Sequence, residues 1–512
     1  MELLFSALPV FLIFIFSIFA VSGVFILPKI SKKPHRLLPP GPRKLPLIGN
    51  IHQLASSTTP HRQLQQLAQK HGAIMRLQLG EISTIVISSA DAAKEVMKTH
   101  DIIFANRPDI LGFRIITYGS KDIAFATYGE YWRQLKKIAT VELLSSNRVE
   151  SFRSILEEEV SALIQSLSDN LGSTVNLSQK FFLTASGIIS KAIFGRNTED
   201  IRQFTSSVGE FSQLVPGFSL ADMFPSCKLL PLISGSKQKV MKQHLTYNRI
   251  LDNIINDRKA RRKTTQSNSE YETGDKDFLD VLLELQENGN PEFSLTDDHI
   301  KAVIVGLFGG GSDTSSITLE WAMAEMLKNS RVLKKAQTEV RQAYEAKGIV
   351  NGTSLPRLKY LNSVIRETLR LHPPLPLLVR RESTQKCQIH GYDIPPKTRV
   401  LINAWAIARD AAFWQEADKF HPERFLNNSI DCSGNNFEYI PFGAGRRMCP
   451  GMSFGLADVE ITLAMLLYHF NWSLPDGLKP EDLDMTEIYT VAAKKKNPLY
   501  LIPSSYSFSS LG

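Results

Sequence analysis

Phe442-Gly443-Ala444-Gly445-Arg446-Arg447-Met448-Cys449-Pro450-Gly451, late in a chain of 512 residues, is the stretch on which the fold turns. Glycines at 443, 445 and 451 let the backbone turn tightly and come close to a flat ligand. Pro450 and the apolar run Met452–Phe470 predict a helix that starts just past Cys449. A thiolate at that place is stabilised by a helix N-terminus and by nearby backbone N–H groups, and such bonds to sulfur tune a bound iron. The competing reading is a small buried cysteine beside a glycine-rich turn, the usual fate of an isolated cysteine. Five matched positions of F-x-x-G-x-R-x-C-x-G within ten residues weigh against it.

Working outward, 43% hydrophobic and 21% charged residues exclude a disordered chain. The net charge of +8 arises from 59 basic against 51 acidic residues. With no long Lys/Arg block, a basic face toward a membrane or an acidic protein explains it as well as nucleic acid does, and no nucleic-acid partner is expected. The four cysteines, Cys227, Cys387, Cys432 and Cys449, form no C-x-x-C pair, which argues for a reducing compartment.

From Leu3 to Leu27 there is no charged residue, long enough for the roughly 20 apolar residues that cross a bilayer. Glu2 precedes the run, and Lys29, Lys32, Lys33, His35 and Arg36 follow it. The positive-inside rule then sets the N-terminus in the lumen and the body in the cytosol. A cleaved signal would have a shorter apolar region, a basic start and a small-residue cleavage site. The expected division is a transmembrane anchor over 1–28, a basic and Pro-rich hinge over 29–45 containing Pro39-Pro40-Gly41-Pro42, and one main domain over 46–512. On that topology the sequons at Asn176, Asn351, Asn427 and Asn471 stay unglycosylated.

Leu77 to Ser88 reads as a hairpin turning at Gly80-Glu81. Helical periodicity covers Val149–Leu171, Val240–Arg258, Asp298–Lys328, Val332–Ala346 and Leu361–Leu371. Asp257–Asp277, opening on Arg258-Lys259-Ala260-Arg261-Arg262-Lys263, reads as an exposed connector. A large helical body with a few small sheets fits better than an alternating βαβ pattern.

The cysteine segment resembles that of the cytochrome P450 family, and the resemblance extends over essentially the whole chain. It implies the P450 fold, haem b, and Cys449 as the axial thiolate of the iron. Glu367-Thr368-Leu369-Arg370 matches the family's E-x-x-R, whose two ends share a helix face. Pro422-Glu423-Arg424-Phe425 resembles the segment that supplies a third member, so Glu367, Arg370 and Arg424 are implied to form a structural triad. Gly309-Gly310-Gly311-Ser312-Asp313-Thr314-Ser315 lies within a helical run, where each glycine costs up to about 1 kcal/mol. A helix break is the plain alternative. The resemblance implies instead that Asp313 and Thr314 are the catalytic pair that manages protons at the oxygen site. Trp132 and Lys136, in the place of a W-R-x-x-R segment, are implied haem contacts along with Phe442, Arg447 and Arg381. Lys136 replaces the usual arginine and loses its planar fork.

The implied reaction is monooxygenation with O2 and electrons from NADPH, delivered by NADPH–cytochrome P450 reductase, since no G-x-G-x-x-G fingerprint of a bound nicotinamide or flavin is present. The chain looks most like plant microsomal members held in the endoplasmic reticulum membrane, in the clan of terpenoid and alkaloid oxidases. Substrate contacts are expected at Phe113, Gly310, Leu375, Val379, Thr490 and Val491, in mostly apolar stretches that suit a terpenoid, a sesquiterpene or diterpene, better than a charged compound. Simple core packing competes for each of them. Tyr489 and Thr490 stand where relatives often carry Phe-Gly, and Arg380 where they commonly carry proline. An alkaloid hydroxylase and a reductase-independent haem-thiolate isomerase or dehydratase are the alternatives, the latter disfavoured by Asp313, Thr314 and the anchor.

Overall fold

The structure, a computed structural model, describes residues 37–506 apart from 56, 196–197, 212–217, 268–275, 290–293, 346–357 and 427. The apolar run Leu3–Leu27 and the basic patch after it lie outside the described residues, and so do the sequons at Asn351 and Asn427. Among the described residues no helix is long and apolar enough to cross a membrane. The main folded unit begins at Leu38. Its first turn is docked rather than free: Pro40 O accepts the Arg76 N–H at 2.7 Å, and a side chain on Gly41 would meet Arg76 O.

Strands β1 (Ile74–Leu79) and β2 (Ile82–Ile87) form the expected antiparallel hairpin, Leu79 facing Ile82 across Gly80-Glu81. The turn forms there because Gly80 takes φ +61°, which a side chain disfavours. Two strands from far along the chain complete the sheet, β3 (Arg381–Glu382) and β4 (Arg399–Ile402). The order is β1-β2-β4-β3, with β4 parallel to β2 and antiparallel to β3.

The rest is mainly helical. The elements that position the site are α1 (Glu130–Lys137), α2 (Leu177–Phe194), α3 (Leu220–Met223), α4 (Ser236–Ser267), α5 (Phe278–Asn288), α6 (Asp297–Lys328), α7 (Lys359–Leu371) and α8 (Met452–His469). Helix α6 starts on a capping box between Thr296 and His299. It is buried almost throughout and passes through the main core, where Ile300, Val303, Ile304 and Phe308 pack with α2 residues such as Ile188, Ile189 and Phe194.

One expectation holds and one needs correction. The triple glycine lies inside a continuous helix, as expected, and α6 runs through Gly309–Gly311 without interruption. Packing against α2 overrides the propensity cost: a Cβ on Gly311 would sit 3.2 Å from Ile189. The charge run after Asp257 is not a solvated connector at its start, since α4 continues to Ser267. Arg258 bonds Asp277 at 2.7 Å and Asp280 at 2.8 Å, Lys259 bonds Asp297, and Arg262 bonds Glu287. These acids on α5, on the turn before it and at the start of α6 hold the basic turn of α4 in place.

Candidate active site

The segment before α8 is shaped by two glycines in the left-handed region. Gly443 has φ +72° and Gly445 φ +69°. A Cβ on Gly445 would fall 2.1 Å from Met97 O, so no other residue fits there. The chain then makes a 3-10 turn over Gly445–Arg447, and the Cys449 N–H donates to Phe442 O at 3.0 Å. Helix α8 begins at Met452, three residues past the cysteine. Cys449 lies deep in the protein yet keeps accessible surface, because it faces an internal cavity. Burial pushes its thiol up, against the Gly451 N–H and the charge of Lys136. The Gly451 N–H favours the thiolate, in line with the expected stabilisation beside the helix start, but desolvation of the free thiol is the larger effect.

The cavity, of about 280 Å³, is bounded by the Cys449 segment, α6, α1 and the stretch Pro374–Arg381. Gly310, Thr314 and Ser315 face it from α6, and Leu375 and Val379 from the loop after α7. Space is open where a Cβ on Gly310 would lie. The Thr314 hydroxyl donates back to Gly310 O at 2.6 Å, the local bond that loosens a helix by competing for its carbonyl. Of the remaining expected substrate contacts, Phe113, Thr490 and Val491 do not line the cavity. Phe113 stacks on Phe125 at 3.8 Å, and Val491 packs against the main core. Asp313 is half-buried on α6 and also stays off the cavity wall, one position along from Thr314.

One end of the cavity carries concentrated positive charge. Arg107, Lys136, Arg381 and Arg447 line it, with Trp132 and Phe442 beside them. Arg447 is fixed by Ala105 O and Ala126 O and lies 4.1 Å over the Trp132 ring. Arg381 reaches Asp101 and Ala444 O, while Lys136 donates to Arg446 O. Arg107 bonds the carbonyls of Ala124, Val379 and Arg380. The Trp132 N–H is taken by Ile123 O at 2.9 Å, so this residue presents its ring. Among the described residues, the carboxylates that act on these four cations are Asp101 and Asp122. Burial pushes Asp122 up to about 6, despite N–H bonds from Phe125 and Ala124 and the nearby Arg107. Burial and then its neighbour Arg381 lower Arg447 to about 9, and burial lowers Arg107, Arg381 and Lys136 also. The cluster therefore holds two cations more than its carboxylates and is built for a dianion. Sequence reasoning missed Arg107, Asp101 and Asp122 as members.

Beneath the site, Glu367 and Arg370 are wholly buried on α7 and joined by two bonds of 2.7 and 3.0 Å. Arg424 Nε reaches the same carboxylate at 3.0 Å, and the His421 N–H donates to it as well. Arg370 spends its other nitrogen on Ala408 O and Ala417 O, tying the loop before the cysteine segment to α7.

A family model described as Cytochrome P450 matches residues 39–502. The chain belongs to the cytochrome P450 family. It is accordingly a P450 monooxygenase, and the family implies a haem cofactor and generally a redox-partner reductase. Tabersonine 6,7-epoxidase isoform 1 of Catharanthus roseus is 50% identical, over 97% of this P450 and 99% of the relative. Salviol synthase of Salvia pomifera is 48% identical over 93% of each chain. Premnaspirodiene oxygenase of Hyoscyamus muticus is 46% identical over 93% of this chain and 95% of its own. Among solved structures, a zebra fish cytochrome P450 with progesterone superposes with a TM-score of 0.75 at 23% identity, over 87% of this chain and 99% of that one, a likeness of fold. The residues present fit a haem: a soft sulfur faces the cavity, a cradle without Cβ atoms adjoins it, and a cationic end stands ready for two propionates.

Proposed function

We propose that this P450 oxidises a hydrophobic plant specialised metabolite, a sesquiterpene or diterpene, with O2 and electrons from NADPH through NADPH–cytochrome P450 reductase. The observation that carries the reading is a cavity whose wall is largely apolar, between Cys449 on one side and Gly310–Thr314 on the other. Haem b would be held by the Cys449 sulfur at its iron and by Arg107, Lys136, Arg381 and Arg447 at its propionates. When bound, the haem supplies oxygen activation and insertion of one oxygen atom into the substrate. With a bound cation beside it, Cys449 would sit as a thiolate despite the burial that raises its thiol pKa. Gly451 N–H and the Lys136 charge then stabilise that sulfur.

The Thr314 hydroxyl, held by Gly310 O, stands where it can pass a proton toward the reacting oxygen, and Asp313 behind it holds the proton supply. Leu375 and Val379 form the apolar wall that orients the hydrocarbon and keeps bulk water out. Glu367, Arg370 and Arg424 hold the loop beneath the site. The apolar run Leu3–Leu27 anchors the chain, by this reading, in the endoplasmic reticulum membrane with the monooxygenase body in the cytosol.

The names premnaspirodiene oxygenase and salviol synthase favour a terpenoid, while the 50% identity to tabersonine 6,7-epoxidase supports an alkaloid as the second reading. Turnover of the full chain with reductase and NADPH on sesquiterpenes, diterpenes and indole alkaloids decides between them. Oxygenated terpenoid product is expected. Oxygenation of the alkaloids alone would move the assignment to the second reading, and product without reductase would contradict both.

A further inference from the structure

Helix α8 lends Gly455, Leu456 and Val459 to the wall of the active cavity. Asp458, on the same turn, does not line the cavity and is 2% exposed. Its carboxyl accepts from the Thr462 hydroxyl at 3.3 Å, one turn further along α8, and from the Ser315 hydroxyl of α6. Ser315 does line the cavity, directly after Thr314, and packs on α8: a Cβ on Gly455 would lie 3.8 Å from its Oγ. Ser315 and Thr462 are themselves buried. One serine side chain thus joins a buried carboxyl to the wall of the space in which a haem fits.

Asp458 has no counter-charge. The helices packed against α8 are α6, α7, Arg153–Ser168 and Ser330–Glu345, and among the described residues none of their charged side chains acts on it. Its two hydroxyl bonds are outweighed by burial, which holds the carboxyl at about 7, so both protonation states are populated near neutrality. Two other carboxyls titrate in the same region. Burial pushes Glu460, two residues on, up to about 7, but it faces Arg366 of α7. Asp122, at about 6, stands at the cationic end of the cavity beside Arg107. A buried charge without a partner acts over a longer range than one in water, because little solvent screens it. Burial and the electrostatics around the site are also means by which a protein sets a haem potential.

We propose that Asp458 is a positioning residue for electron transfer: held by Ser315 at the cavity wall, its carboxylate takes up a proton when the haem iron is reduced. One electron passes from the redox partner to the iron, one proton from solvent forms an O–H bond on Asp458, and no bond breaks. The buried site then gains no net charge. This coupling rests on the haem reading of the Cys449 cavity. Its sign follows from the charge. Below about pH 7 Asp458 is neutral, and above it the carboxylate disfavours an added electron, so the midpoint potential falls as pH rises.

The test is the midpoint potential of the full-length holoenzyme in detergent, by spectroelectrochemical titration from about pH 6 to about pH 9, beside Asp458→Asn, Glu460→Gln and Ser315→Ala. Relative to Asp458→Asn, wild type is expected to lose about tenfold in its reduction equilibrium constant across that range, which is about 59 mV for one electron. Asp122 and the other titrating groups act in both proteins, so the difference between them is the readout. Glu460→Gln should fall as wild type does. Ser315→Ala removes a bond that favours the charged form, so its fall should move to higher pH. Parallel curves for wild type and Asp458→Asn, or a fall lost in Glu460→Gln instead, would overturn the proposal. If Asp458→Asn does not hold haem, Ser315→Ala decides: a fall moved to higher pH supports the coupling, and an unmoved one overturns it. A histidine-type carbon monoxide band would remove the thiolate reading separately and leave this comparison standing.

Discussion

At the scale of single residues, Gly443 and Gly445 share a left-handed backbone but not a neighbourhood. A Cβ on Gly443 meets only Leu378 Cδ1, at 3.9 Å, whereas on Gly445 it would strike Met97 O at 2.1 Å. Gly443→Ala should therefore cost about 1 kcal/mol, and Gly445→Ala well over about 2 kcal/mol with loss of haem. Thermal melts and haem content of the two variants check this, and equal costs would refute the close approach. Thr314→Ala is expected to leave binding intact while NADPH use rises severalfold relative to product, measured as the ratio of cofactor consumed to product formed. A variant as tightly coupled as wild type would route the protons elsewhere. The turn glycines around Cys449 and the cavity-facing places of Cys449 and Thr314 were legible in sequence, because turn chemistry and a short motif are local. Arg107 was not. Its partners Val379 and Arg380 are more than 270 positions away, and no local pattern announces such a pairing. Phe113, Thr490 and Val491 do not line the cavity, and for Phe113 and Val491 the reason is complementary, that an apolar residue near a site reads the same whether it faces ligand or core.

Elements carry the next set of consequences. The buried pair on α7 is a three-residue spacing that sequence alone cannot distinguish from a surface pair worth under about 1 kcal/mol. Here both partners have no exposed side-chain surface, so removing one strands the other. Glu367→Ala should cost about 3–5 kcal/mol, read as a lowered Tm and poor haem retention. A melt near wild type would show that the triad is dispensable. On α8, burial pushes the Asp458 carboxyl up to about 7, against hydrogen bonds from Ser315 and Thr462. Since the unfolded value is about 3.9, the folded state holds this proton more tightly. The contribution is fully present below about pH 4 and is lost as pH rises through about 7. Asp458→Asn, which has no proton to lose, should gain Tm on wild type between about pH 5 and pH 8, in paired melts. An unchanged difference across that range would place the charge of Asp458 in contact with water or an unseen cation. The length of α6 was legible to within one residue at its start, and so was its continuity across three glycines, but the neighbour that makes those glycines tolerable was not. That continuity depends on α2, whose Ile189 fills the groove that Gly311 leaves.

For the whole molecule, the sequence carried the mainly helical class, the hairpin and the order of the site segments. The assembly of strands from residues 74–87 with strands from residues 381–402 escaped it, because parallel pairing over such a separation leaves no period in the chain. The anchor reading predicts that deleting residues 1–28 shifts most of the protein from the microsomal pellet to the supernatant while a haem-loaded body remains. Undiminished pelleting would give the membrane contact to the body. Three buried arginines and the half-buried Lys136 around a cavity also predict that haem dimethyl ester, which lacks the propionate charges, reconstitutes the protein at least about tenfold more weakly than haem, in titrations of the apoprotein. The central claim is that Cys449 binds haem iron as a thiolate. Its most direct test is the carbon monoxide difference spectrum of the reduced full-length protein, beside Cys449→Ser. A Soret band at the thiolate-type position in wild type, absent from the variant, is the predicted result, and a histidine-type band in wild type or a thiolate-type band that survives Cys449→Ser would contradict it.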